Sequence, residues 1–254
     1  YKKLNTKDTF SIDKDIKLKI FLRYNRNANT SFSSYFSSIE EHYSSIERVL
    51  KGETNVLWPT DIQWFSKSSG TTNARSKYIP VSAESMEECH FRGGKDLLTL
   101  YLDNKMDSQL FEGSSVSIGG SLHPNPFDDK TTVGDISAVI TKNLPKWADY
   151  FRIPPMEIAL LGKWEEKMDL MVEACLNANV TSVMGVPTWT VVLLERILEQ
   201  TGAKNLLEIW PNFEVFIHGA VSFTPYRELF QQKLFPNSSV AYMETYNASE
   251  GFFA

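Results

Sequence analysis

Cysteine is nearly absent from the chain: Cys89 and Cys175 are the only two in 254 residues. Neither has metal-type spacing and both fall in helical patterns, so they read as reduced, buried thiols of a cytoplasmic protein. Histidine is sparse as well, and His42, His90, His123 and His218 are too scattered for a zinc centre. No run of basic residues occurs and the net charge is -5. A nucleic-acid backbone as main partner would demand clustered Lys and Arg, so that class is excluded. No apolar run approaches the roughly 20 residues of a membrane-spanning helix. The first 19 residues are polar and lysine-rich, without the apolar stretch of a signal peptide. No membrane partner is expected.

What remains has the composition of a globular protein, 42% hydrophobic and 22% charged, with enough residues for one large domain or two small ones. Residues 1–34 are polar, rich in Asn and Ser towards their end, and read as a separate, irregular segment. Phe36, Ile39, Tyr43, Ile46 and Leu50 then recur at helical spacing, and Gly52 fits a helix stop. A strand is expected at Ile62–Phe65 and another at Tyr78–Val81. A long helix follows Pro80, capped by Ser82 or Ser85 and weakened at Gly93-Gly94. Val116–Ile118 reads as a short strand, 122–132 as a Pro/Asn/Asp-rich loop, Ile136–Leu144 as a helix and Pro155–Leu176 as one long helix.

The remainder alternates strand and helix: Val180–Val186, Thr188–Gln200, Phe213–Ile217, Pro225–Leu234 and Val240–Tyr246. Such alternation with short connections indicates an α/β fold with crossover helices. Ligands in such sheets bind beyond the carboxyl ends of the strands. Three segments rich in small residues fall there: Gly185-Val186-Pro187-Thr188, His218-Gly219-Ala220 and Tyr246-Asn247-Ala248-Ser249-Glu250-Gly251.

Between the first two strands lies Ser66-Lys67-Ser68-Ser69-Gly70-Thr71-Thr72, followed by Lys77. Its main-chain N–H groups, hydroxyls and lysine suit an anion, although Ser/Thr/Gly clusters also form ordinary surface loops. It is not a Walker loop, because no second glycine precedes the lysine and the lysine leads into a strand. The stretch resembles the first signature of the adenylate-forming superfamily. It is most similar to that of the auxin-responsive acyl acid amido synthetases (the Gretchen Hagen family) and their bacterial homologues. Tyr246-Asn247-Ala248-Ser249-Glu250 resembles the superfamily's aromatic-Gly-x-Thr-Glu signature in its Ser-Glu variant, with Asn247 in place of the usual small residue. His218-Gly219-Ala220 resembles the adenine-side turn, and Gly185–Thr188 the strand-Pro-helix segment on the acyl side.

The resemblance implies the large N-terminal domain of the adenylate-forming fold, mixed sheets with flanking helices, over residues 35–254. It implies ATP and Mg²⁺ as cofactors and a carboxylic acid as substrate. The acid would be adenylated and its acyl group passed to an amine such as an amino acid. An acyl-CoA ligase and a non-catalytic nucleotide-binding module are the alternatives. Ser68, Ser69, Gly70, Thr71 and Thr72 with Lys77 would hold the phosphates, and Glu250 the metal. Tyr246 would stack on adenine, Gly219 and Ala220 would admit it, and Ser249 would donate to the α-phosphate. Val186 and Trp189 would line the acyl pocket. Arg92 reads first as a surface residue and second as a partner for the substrate carboxylate; His218 is given no proton-transfer role. The family continues past its Glu signature with a ribose-binding aspartate and a small C-terminal domain. The chain is therefore expected to be an incomplete large domain.

Overall fold

Two sheets carry the structure, and each is built as the side-chain pattern of its strands requires. The computed structural model describes residues 39–68 and 77–253. The expected irregular segment 1–34 and the loop residues Ser69, Gly70, Thr71 and Thr72 lie outside them.

The first sheet is mixed, in the order β2-β1-β5-β4, from β1 (Trp64–Ser68), β2 (Lys77–Val81), β4 (Leu122–Asn125) and β5 (Asp128–Gly134). Alternate residues of a strand face opposite sides, so one sheet can bury two apolar faces. Phe65 and Val133 meet Val49 and Leu50 of helix α1 (Ile39–Leu50). Trp64 and Val81 face the other way, onto Met86 and onto Val139 of a helix spanning Ile136–Lys142. The expected loop at 122–132 is instead the hairpin β4–β5. Asn125 folds its turn internally, its Oδ1 accepting from Phe127 N–H at 3.0 Å while its Nδ2 donates to Leu50 O at 2.7 Å. Turn-forming residues that bond their own backbone can be read as loop when they in fact close a hairpin.

The second sheet has five strands, all parallel, in the order β6-β3-β7-β8-β9. Its members are β3 (Ser114–Ser117), β6 (Arg152–Ile153), β7 (Val180–Gly185), β8 (Val215–Gly219) and β9 (Ala241–Thr245). A parallel sheet must be covered on both faces. One face buries Val183 and Phe216 with residues of the helices Trp164–Leu176 and Pro187–Thr201. The other buries Val215 and Ile217 against Leu97 and Tyr101 of the helix Arg92–Asn104. Pro187 opens its helix at the first position, and Gly202, at φ +69°, closes it in the left-handed conformation that glycine adopts without strain.

Three expected helices differ in detail. The stretch from Pro155 is two helices, Met156–Ala159 and Trp164–Leu176, with an irregular joint containing Gly162. Ser82 does cap the helix after β2, accepting from Ser85 N–H at 3.1 Å. That helix passes through a π-turn, Met86–Phe91, before resuming at Arg92. Gly93-Gly94 does not break it, because Gly93 makes room for Phe252, whose ring would lie 2.5 Å from an added Cβ. The segment expected as Pro225–Leu234 is helical only over 227–234, and Leu229–Leu234 of it is again a π-turn. Cys89 and Cys175 are both free and buried, as expected. Among the described residues no helix is long and apolar enough to cross a membrane.

One buried carboxylate ties the Arg92–Asn104 helix to β8. Glu214 accepts from Tyr101 Oη (3.0 Å), Ser108 Oγ (2.6 Å) and Gln109 N–H (2.7 Å), with Lys105 Nζ at 3.7 Å. Burial alone would raise its pKa, but these donors and Lys105 outweigh that and hold it below the ordinary carboxylate value. Glu214→Gln turns an amide N–H₂ towards groups that are themselves donors. Chemical unfolding should show it less stable by about 2 kcal/mol.

Candidate active site

The strands of the parallel sheet all end on one side, and the small residues singled out in the sequence lie there. β7 ends at Gly185, β8 at Gly219, and β9 at Thr245 with Tyr246 beyond it. The glycines have a packing reason first. A Cβ on Gly219 would run into Thr245 O, and one on Gly185 would lie 3.1 Å from Ile118 Cβ. Gly219 therefore lets β8 and β9 close together, with the Thr245 hydroxyl donating to His218 O at 3.2 Å. Ala220 turns the chain at φ +69°, a conformation rare for a residue with a side chain.

The N-terminal signature reaches this place from the other sheet. Ser66, fully buried on β1, donates from Oγ to Ser249 Oγ at 2.7 Å, across 183 residues of sequence. Each hydroxyl can donate or accept in this pair, so Ser66 can take the donor role and leave the Ser249 proton for another acceptor. In the β1–β2 ladder Ser66 pairs with Ile79 and Ser68 with Lys77. Paired residues of a ladder share a face, and alternate residues return to it. Lys77 therefore stands on the face of the sheet that carries Ser66 towards Ser249. It opens β2 rather than ending the loop, and is half-buried.

Ser249 and Glu250 occupy the two-residue turn of a hairpin. Its strands are β10 (Asn247–Ala248) and β11 (Gly251–Phe252), paired Ala248 to Gly251 and Asn247 to Phe252. Tyr246, just before it, is 48% exposed, and its ring sits 5.4 Å from that of Phe253. One ring face thus has an aromatic neighbour within the chain. Of the acyl-side residues, Trp189 packs against Trp164 at 5.5 Å and Val186 is half-buried. Arg92 is exposed and 3.8 Å from Glu88, consistent with its surface reading. His218 is buried and stacked on Phe223 at 4.2 Å, with burial lowering its pKa, so it is a neutral packing group.

The sequence reading passed over two features that adjoin these. His90 Nδ1 meets Asn247 Oδ1 at 2.9 Å. Lys167, only 2% exposed, donates from Nζ to Gly119 O (2.7 Å) and Gly120 O (2.9 Å), in the link between β3 and β4. Burial pushes the Lys167 pKa down to about 8, against the opposing pull of Asp135. The signal for Lys167 was present in its spacing. It precedes Met171 and Cys175 by four and eight residues, on the helix face that also carries the buried Met168. Among the described residues no group of three His, Cys, Asp or Glu side chains is placed to hold a metal ion.

Residues 29–240 match the model of the GH3 family N-terminal domain. A solved GH3.15 acyl acid amido synthetase superposes with a TM-score of 0.61 at 18% identity, covering 84% of this chain and 45% of that one. A second, AtGH3.15 acyl acid amido synthetase in complex with 2,4-DB, gives 0.63 at 15% identity, covering 85% and 46%. These likenesses show a shared fold, and the chain spans less than half the length of either structure. No curated protein matches the sequence.

Proposed function

The chain belongs to the GH3 family, and from that premise we propose that it is part of the large adenylation domain of an ATP-dependent acyl acid amido synthetase. The observation that supports this best is the Ser66–Ser249 hydrogen bond at 2.7 Å, which joins the two signature stretches at the strand ends. The amine as acyl acceptor is supported by the two similar structures, both acyl acid amido synthetases, and an acid substrate by the 2,4-DB bound in one of them.

In the proposed reaction a carboxylate oxygen of the substrate attacks the α-phosphorus of ATP. The bond to the β-phosphate bridging oxygen breaks and pyrophosphate leaves. An amine nitrogen then attacks the acyl carbon, and AMP departs with the electrons of the carbon–oxygen bond. Both first reactants are anions, so the site must supply positive charge and fixed donors. Lys77 supplies the charge from the start of β2, and the stretch Ser68–Thr72 is assigned the β- and γ-phosphates. Ser249 donates its free hydroxyl proton to the α-phosphate. Tyr246 would offer its ring to adenine, and Gly219 and Ala220 would leave room for it. Glu250, at the hairpin turn, suits a hard cation such as Mg²⁺, which prefers oxygen ligands; the metal neutralises phosphate charge when bound. The strand ends of the parallel sheet and the β1–β2 signature form one catalytic wall in this reading, with residues 35–254 as part of the large domain.

The test is ATP–pyrophosphate exchange across a panel of carboxylic acids, on the longest form of the protein that can be made. Exchange that depends on one class of acid is the expected result. Absence of exchange with every acid would favour a nucleotide-binding module without catalysis. An acceptor assay on the active acid then separates an amine from coenzyme A.

A further inference from the structure

The hairpin that carries Ser249 and Glu250 is too small to hold itself. It has two residues per strand and two paired positions, and even longer two-stranded hairpins are marginal in water. Its anchor comes from the π-turn Met86–Phe91. A π-turn inserts one residue into a helix and re-aims the side chains around it, and such turns recur at functional sites. Here it presents two consecutive side chains to the hairpin. Cys89 Sγ accepts from Phe252 N–H at 3.1 Å, and His90 Nδ1 bonds Asn247 Oδ1 at 2.9 Å. Asn247 and Phe252 are cross-strand partners, so the two bonds grip both strands at the same rung, at the base of the hairpin.

The surroundings are fitted to that grip. A Cβ on Gly251 would lie 3.2 Å from Cys89 Sγ, and Gly251 has φ +154°, which also favours glycine. Gly93, one helical turn after the π-turn begins to close, gives way to the Phe252 ring. His90 is 3% exposed, and its Nε2 is buried with no hydrogen-bond partner among the described residues. Burial lowers its pKa, against the raising effect of the Asn247 bond, so the ring is neutral and its proton sits on Nδ1 facing the accepting oxygen. Asn247 stands where the family signature has a small residue; its side chain has a defined partner in this chain.

We propose that His90 is a positioning residue which, through Asn247 and together with Cys89, holds the Ser249–Glu250 turn in place for the nucleotide. The grip itself is independent of the adenylation reading; what the turn holds rests on that reading. The experiment combines amide hydrogen exchange with ATP binding by calorimetry, on the full chain with Mg²⁺. His90→Ala and Asn247→Ala should each speed exchange of the 249–252 amides about tenfold, with β7 and its flanking helices unchanged. Each should also raise the ATP Kd about tenfold. Asn247→Asp keeps an accepting oxygen for His90 and should retain protection of the 249–252 amides. Wild-type exchange rates in both alanine variants overturn the proposal. Faster exchange with unchanged Kd also overturns it, leaving a purely architectural contact. If the longest obtainable form of the wild type binds no ATP, the adenylation reading sinks instead, and the exchange rates then decide the grip alone. Asn247→Ala lies on the hairpin rather than in the helix, so it remains readable if His90→Ala fails to fold.

Discussion

Lys77→Ala and Glu250→Ala should each reduce ATP–pyrophosphate exchange by about 10²-fold or more while leaving the melting temperature close to that of the wild type. The two halves of this expectation come from different observations. Neither side chain has an ion-pair partner among the described residues, and neither belongs to a buried core cluster. Removing such a group costs a fold little. The loss of rate follows from position: Lys77 is on the Ser66 face of β1–β2, and Glu250 is next to the serine that Ser66 contacts. A charge aimed at a transferring phosphoryl group acts where water is thin and is worth far more there than at the surface. Exchange that survives both changes would overturn the adenylation reading. A large fall in melting temperature would instead recast the two residues as structural.

The second large effect is one of stability and grows with pH. Lys167 has a folded pKa of about 8 against an ordinary 10.5. Between those values the unfolded chain binds more protons than the folded one, so stability rises with pH across that window. The rise approaches about 3 kcal/mol as pH passes 10.5. Met at this position lacks both the charge penalty and the two hydrogen bonds to Gly119 O and Gly120 O. At pH 7 these losses partly cancel, and Lys167→Met should cost at most about 2 kcal/mol. Towards pH 10.5 only the lost bonds remain, and the cost should be about 3 kcal/mol larger. Urea unfolding of both proteins at the two pH values checks this. A difference independent of pH would mean that Lys167 is not held in the low-dielectric setting its burial indicates.

Much of the second sheet was legible because a strand covered on both faces must be apolar nearly throughout. Val215–Ile217 is such a run, Val180–Gly185 departs from it only with the small buried hydroxyls of Thr181 and Ser182, and the helix between them carries Pro and Gly at its proper ends. The first sheet was harder. β1 begins at Trp64, two residues after the expected Ile62, because pairing with β2 and β5 decides where a short strand starts. β4 and β5 contain Pro124, Asp128 and Asp129, which locally favour turns and which ladder pairing overrides. The candidate site was legible as two signatures and their order. The hydrogen bonds of Cys89 and His90 were not, since nothing local in Met86–Phe91 announces a π-turn. It is a property of what the helix packs against.

The contact between Ser66 and Ser249 also has a consequence for how the protein comes into being. Bringing two points 183 residues apart together costs about 4–5 kcal/mol of chain entropy, several times what one hydroxyl bond returns. The bond cannot pull the two signatures together. It forms only after both sheets have already docked. During synthesis the phosphate-side strand leaves the ribosome long before its partner serine has been added. A half-made chain can therefore contain β1 and β2 complete and still present no nucleotide site. The wall proposed to hold ATP therefore forms no earlier than the hairpin that carries Ser249.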